Sequence, residues 1–175
     1  MPDTLNISDK INVEPSTIQL AVPNNAGNIT GVSTENIDFS KVDLSNNTFE
    51  VGLSIPSGSK NINGTEKAIV TFDTSDMETK TLAVTNFNVI NEGDDQTTSV
   101  STQSLNVTLI GSKEQLSSIT ASNITAVIDM SAKAPNFIGM AEMPVSIKIN
   151  SKFNRCWAYG SYTVNVTSSR KSETS

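Results

Sequence analysis

The sequence predicts a mostly β protein with short helical turns, built from two copies of one small domain. Three observations carry this. Asn, Ser and Thr are heavily used, which favours strands and turns over long helices. Several segments alternate apolar and polar residues with the period of a half-buried strand. Finally, the first half of the chain resembles the second.

The 175 residues suit one larger domain or two small ones. Aromatic residues are only 5% of the chain, so Val, Ile and Leu must supply the core. The stretch STIQLAVPNNAGNITGVSTENI (Ser16 to Ile37) aligns without a gap with QSLNVTLIGSKEQLSSITASNI (Gln103 to Ile124), 87 residues later. Ile18 pairs with Leu105, Leu20 with Val107 and Val22 with Leu109. Further on, Ile29 pairs with Leu116, Val32 with Ile119 and Ile37 with Ile124. After a one-residue shift, Val-Asp-Leu-Ser at 42–45 meets Ile-Asp-Met-Ser at 128–131. An apolar skeleton kept over this length points to duplication.

Each repeat opens on an alternating strand, Ile18-Leu20-Val22 or Leu105-Val107-Leu109. A helical turn follows. In the second repeat Ser112 and Gln115 fit a capping box, with Leu116 and Ile119 turned inward. In the first repeat Asn25 is the candidate cap, and Gly27 weakens the helix. Two strands close each repeat: Phe49 to Ile55 and Ala68 to Phe72, then Val145 to Ile149 and Tyr162 to Val166. Pro56-Ser57-Gly58 and Asn63-Gly64 mark turns between the first pair. Residues 80–90 read as a strand leading into the second repeat, with Asn91 to Gln96 as a polar loop. Only about fifteen mostly polar residues precede the first strand of the first repeat, so that repeat is expected to be truncated or to take its missing strand from elsewhere. The expected organisation is a polar segment over 1–10, a first repeat over 11–75, a second over 76–168 and a disordered tail over 169–175.

The formal charge of −6 argues against a nucleic-acid partner, which needs a clustered basic face. It also argues against docking on anionic lipid through charge. There is no histidine, which removes histidine acid–base chemistry, histidine metal ligation and the Ser-His-Asp and Cys-His constellations. No phosphate-binding loop, dinucleotide fingerprint or zinc signature is present. No catalytic residue, cofactor site or metal site is assigned. Asp43 and Asp129 could be read as paired carboxylates, but they fit turn aspartates, each in its own repeat. Gly93-Asp94-Asp95 lacks the further ligands of a calcium loop and reads as a solvated loop. Cys156, the single cysteine, has Arg155 beside it but no base, and reads as a quiet thiol. Phe153, Trp157 and Tyr159 gather much of the large aromatic surface in one short segment. They are the candidate partner or sugar platform, with capping of a barrel end as the alternative. Seven Asn-x-Ser/Thr sequons start at Asn6, Asn28, Asn46, Asn63, Asn106, Asn123 and Asn165, and a chain this rich in Asn, Ser and Thr makes many by chance.

The repeat grammar resembles the YbbR-like domain family. The stretches concerned are residues 13–45 and 49–58 in the first repeat, and 105–131, 143–149 and 160–166 in the second. The second repeat carries the strand ending in a glycine-led turn, the Leu116-to-Ile119 turn and the Ala126 to Ser131 extension, with Met130 in a leucine place. The first repeat departs by placing Pro23-Asn24-Asn25 where the glycine turn stands. The resemblance implies small β-barrel-like units in tandem, outside the cytoplasmic membrane of a Gram-positive bacterium. It implies an N-terminal membrane anchor that this chain lacks. It also implies a regulatory or scaffolding role toward a membrane-bound diadenylate cyclase, hence cyclic-di-AMP signalling, and it transfers no catalytic residue. A surface adhesin or glycan-binding β-sandwich module is the alternative. Neither the ligand nor the oligomeric state is legible.

Overall fold

The structure, a computed structural model, describes residues 5–24 and 29–171. The Asn25 cap, Gly27 and the Asn28 sequon lie outside the described residues.

The first repeat contributes β1 (Ile11–Glu14), β2 (Leu20–Ala21), β3 (Ser33–Thr34), β4 (Thr48–Ser54), β5 (Lys60–Asn61) and β6 (Lys67–Phe72). The second contributes β7 (Met77–Val84), β8 (Phe87–Ile90), β9 (Gln96–Val100), β10 (Leu105–Ser112), α1 (Lys113–Ser118) and β11 (Ile124–Asp129), followed by β12 (Gly139–Ile149), β13 (Cys156–Tyr159) and β14 (Tyr162–Arg170). The chain is mostly β, as its composition demands. Alternation places β4, β6, β10, β12 and β14 where the sequence predicts them. Gly58 and Gly64 take φ values of +80° and +69° in the two turns expected from Pro56-Ser57-Gly58 and Asn63-Gly64, a region that other residues rarely enter.

The sheets show the duplication more clearly than the sequence does. The first repeat has a four-stranded sheet in the order β1-β6-β4-β3 and a two-stranded sheet, β2-β5. The second has the five-stranded order β8-β11-β12-β14-β9 and the three-stranded order β13-β10-β7. Strands β1, β6 and β4 thus hold the places of β9, β14 and β12, and β2-β5 holds the place of β10-β13. Among the described residues nothing in the first repeat takes the places of β7 and β8. The second repeat is accordingly a nearly closed barrel-like unit and the first a curled half-barrel.

Several boundaries differ from the sequence reading. Residues 80–90 form two strands, because the chain leaves the β10 ladder after Val84 and pairs in parallel with β11 from Phe87. The segment over 1–10 is not merely polar: Leu5 and Ile7 are buried in the first core. Ser169 and Arg170, expected in the tail, pair with Thr97 and Gln96, and residues 172–175 lie outside the described residues. Strand β2 is reduced to two residues. Ser112 does cap α1, accepting from the Gln115 backbone N–H at 3.5 Å, but Gln115 does not reciprocate. Its side-chain oxygen instead accepts from the Arg155 N–H at 2.8 Å, tying the helix to the start of β13.

The three-stranded sheet β13-β10-β7 is buried on both faces. Val107, Leu109, Cys156 and Val84 enter the core of the second repeat. Ile110, Trp157 and Met77 face the other way, into the core formed by Val42, Val51, Val70 and Phe72 of the first repeat. Successive side chains of a strand point to opposite faces. The uninterrupted buried run Leu109-Ile110-Gly111 is what a strand with a core on each side requires.

Candidate functional site

The aromatic segment over 153–159 lies at the junction of the repeats. Trp157 is 1% exposed. Its indole N–H donates to the Val42 carbonyl at 3.0 Å, and Phe39 meets its ring edge-on at 5.5 Å between centroids. Phe39 also packs edge-on against Phe72 at 5.3 Å, so the aromatic contact is continuous from β13 into the first repeat. Phe153 is buried in the second core. The Asp43 carboxylate facing the Tyr159 hydroxyl pushes the phenol upward from its ordinary range. The expectation of an exposed platform of Phe153, Trp157 and Tyr159 is therefore corrected. Burying an indole against another repeat's core removes the surface that a sugar or partner would use.

Polar contacts ring this aromatic centre. The Arg155 guanidinium lies 2.8 Å from Asp9, and its hydrogen bond holds that carboxyl below the usual carboxylate range. Lys10 lies 3.4 Å from Asp73 and 3.0 Å from Asp76. Gly160 N–H donates to the Ser40 carbonyl at 2.8 Å, and Asn6 N–H to the Asn154 carbonyl at 2.6 Å. The ion pairs are solvent-exposed on at least one side and each adds little. The backbone bonds and the indole fix the orientation.

Asp43 and Asp129 act as turn aspartates. One Asp43 oxygen accepts from the N–H groups of Ser45 and Asn46, both at 2.6 Å. Asp129 accepts from the Asn91 side chain at 2.8 Å and the Ser131 N–H at 2.9 Å. These donors hold both carboxyls low. The local counterpart of Asp129 is Asp38 rather than Asp43. Asp38 and Asp129 each cap a 3-10 turn, Phe39–Lys41 and Met130–Ala132, and each accepts from a serine two residues on. The Gly93 to Asp95 loop lines a polar cleft of about 500 Å³, but its backbone already has a cation: Lys171 Nζ donates to the Asp94 carbonyl at 2.7 Å. Among the described residues no three Asp, Glu or Cys side chains gather as metal ligands would. Cys156 is buried and donates to the Phe153 carbonyl at 3.4 Å, and burial pushes its thiol up to about 11. That leaves almost no thiolate at neutral pH.

No family model matches the sequence, and neither does any curated protein. Solved structures do. The chain resembles YbbR-like domains of known structure. The YbbR-like domain of the lmo2119 protein from Listeria monocytogenes matches at 20% identity with a TM-score of 0.42, covering 56% of this chain and 99% of that one. A YbbR-like protein from Streptococcus pneumoniae TIGR4 matches at 18% identity with a TM-score of 0.41, covering 55% of this chain and 48% of that one. The match thus spans about half the length of the Streptococcus protein.

The sequence reading missed Phe39, Val42 and Arg155 as junction residues. Only Val42 carried a signal, as the apolar residue before the repeated Asp-x-Ser element. The others are recognised only once β13 is set against the first repeat.

Proposed function

We propose that this chain is the extracytoplasmic part of a non-enzymatic regulatory or scaffolding protein, acting on a membrane-bound diadenylate cyclase. The observation that carries the non-enzymatic part is how the polar side chains are used. Asp38, Asp43, Asp73 and Asp129 each accept a backbone N–H from their own turn, and the lone thiol is enclosed. These groups hold loops in place and are not turned toward a common point. The fused cores support a module that presents both repeats in one fixed relation, as a scaffold needs. The cyclase partner and the outer location rest on the sequence resemblance to YbbR-like domains, a fold-level analogy.

The test is capture of the tagged full-length protein from membranes of its native host after mild crosslinking, with partners identified by mass spectrometry. Recovery of a diadenylate cyclase, with altered cyclic-di-AMP in a deletion strain, is the expected result. Recovery of cell-wall polymer without the cyclase overturns the regulatory reading.

A further inference from the structure

Asn63 and Gly64 stand at the tip of the connection from β5 to β6, and both are exposed. The main chain on either side of them is tied down. The Ile62 N–H donates to the Gln19 carbonyl at 2.9 Å, and the Glu66 carbonyl accepts from the Leu53 N–H at 2.9 Å. The Asn61 side-chain amide donates to the Thr65 carbonyl across the turn. Between these anchors, among the described residues, neither the Asn63 side chain nor the Gly64 N–H has a hydrogen-bond partner.

That pair has a chemistry of its own. The side-chain carbonyl carbon of an asparagine lies within five-membered-ring reach of the next residue's backbone nitrogen. Loss of the backbone proton makes that nitrogen a nucleophile, and glycine, having no Cβ, leaves the approach open. Asn63 is the only asparagine of the sequence followed by glycine. Asn150 is followed by serine, but its Oδ1 is engaged by the Lys152 N–H at 3.2 Å. Asn123 accepts from the Thr120 N–H at 3.0 Å and is followed by the branched Ile124.

We propose that Asn63 is a self-modifying site, whose side-chain amide is converted to a carboxylate with water as the only co-reactant. The Gly64 nitrogen attacks the Asn63 side-chain carbonyl carbon as its proton passes to solvent. The bond from that carbon to the side-chain nitrogen breaks, and the nitrogen leaves as ammonia with a proton taken from water. Water then adds to one of the two carbonyls of the cyclic imide and the ring opens. Opening at the side-chain carbonyl gives aspartate. Opening at the main-chain carbonyl gives isoaspartate, which routes the backbone through the former side chain and lengthens it by one methylene. In sum, one amide and one water become one carboxylate and one ammonium ion. The added carboxylate takes the formal charge from −6 to −7. The anchors set the structural consequence. A longer main chain between Ile62 and Thr65 must displace a flanking hydrogen bond, so isoaspartate loosens β5 and its pairing with β2. The site is independent of the regulatory reading and of any partner.

The test is incubation of the folded 175-residue chain at mildly alkaline pH, followed by ion-exchange chromatography and peptide mapping across residues 61–67. A more acidic species should accumulate, with aspartate and isoaspartate at position 63. An exposed tip opens at almost no cost, so the folded chain should convert within about tenfold of the rate of a free peptide of residues 60–67. Asn63→Gln carries the carbonyl one methylene beyond five-membered-ring reach. It should abolish the acidic species and leave the melting temperature unchanged, as a surface substitution does. In the purified isoaspartyl form the β5 amides should exchange about tenfold faster than in the parent. Two outcomes overturn the proposal. Conversion about a hundredfold or more slower than in the free peptide would show that the turn keeps the Gly64 nitrogen from the Asn63 side chain. An acidic species that forms at the same rate in Asn63→Gln would place the reactive asparagine elsewhere.

Discussion

The Trp157 indole N–H and the Val42 carbonyl, 115 residues apart in sequence, meet at 3.0 Å in a fully enclosed setting. Through that bond a strand of the second repeat becomes part of the first repeat's core.

Trp157→Ala should therefore cost about 3–5 kcal/mol, the range for truncating a large buried aromatic. Trp157→Phe keeps much of the packing but leaves the Val42 carbonyl unanswered, at about 1–3 kcal/mol. Urea unfolding followed by circular dichroism measures both. A Trp157→Phe variant as stable as wild type would show that the indole hydrogen bond contributes nothing.

Gly111 is set by close approach. A Cβ there would lie 2.3 Å from Cys156 Cβ and 2.6 Å from the Arg155 carbonyl. Gly111→Ala should force β13 away from β10 and cost about 1–3 kcal/mol. A melting temperature equal to wild type would refute this contact.

Lys80 holds the end of α1. Lys80→Met keeps an apolar stem but removes the donor from the Leu116 and Ile119 carbonyls, for a loss of about 1–3 kcal/mol. Hydrogen exchange should speed up first in residues 113–119. Uniform acceleration across the second repeat would instead mean that the lysine supports β7 as a whole.

Acid should destabilise the fold through its turn aspartates. Asp38, Asp43, Asp73 and Asp129 are all held below the ordinary carboxylate range by hydrogen-bond donors. Their stabilisation is fully present above the unfolded value of about 3.9 and is lost as pH falls through the lower folded values. The melting temperature should stay level above about pH 5 and decline below about pH 4. Asp129→Asn should shallow the decline, and an unchanged acid limb would assign the effect to other groups.

Cys156 should react with a thiol reagent at pH 8 far more slowly than free cysteine, and at full rate in denaturant. Fast labelling of the folded chain would contradict its burial.

Apart from the alternating first half of β10, the sequence made legible those elements that bury one face only. Strands β4, β6, β12 and β14 alternate because water lies on one side of them. Strand β13 was hidden because Cys156 and Trp157, successive residues, are both buried, so no period-two signal exists. Strand β9 was hidden because Gln96-Thr97-Thr98-Ser99 is polar. Its inward-facing Gln96 is satisfied by the Phe137 carbonyl at 2.9 Å rather than by apolar contact. The turn role of Asp43 and Asp129 was legible from the serine two residues on. The placement of the aromatic cluster was not, because composition reveals how much ring surface a segment carries and not which neighbour covers it.

Duplication ordinarily leaves modules that can be lost, shuffled or multiplied singly. The sheet β13-β10-β7 has ended that freedom here. A cut after residue 75 would strip Met77, Ile110 and Trp157 from the N-terminal core and leave the far side of the same sheet wet. What is inherited as a working unit is the pair, and any longer array of such repeats would have to grow by adding to it rather than by dividing it.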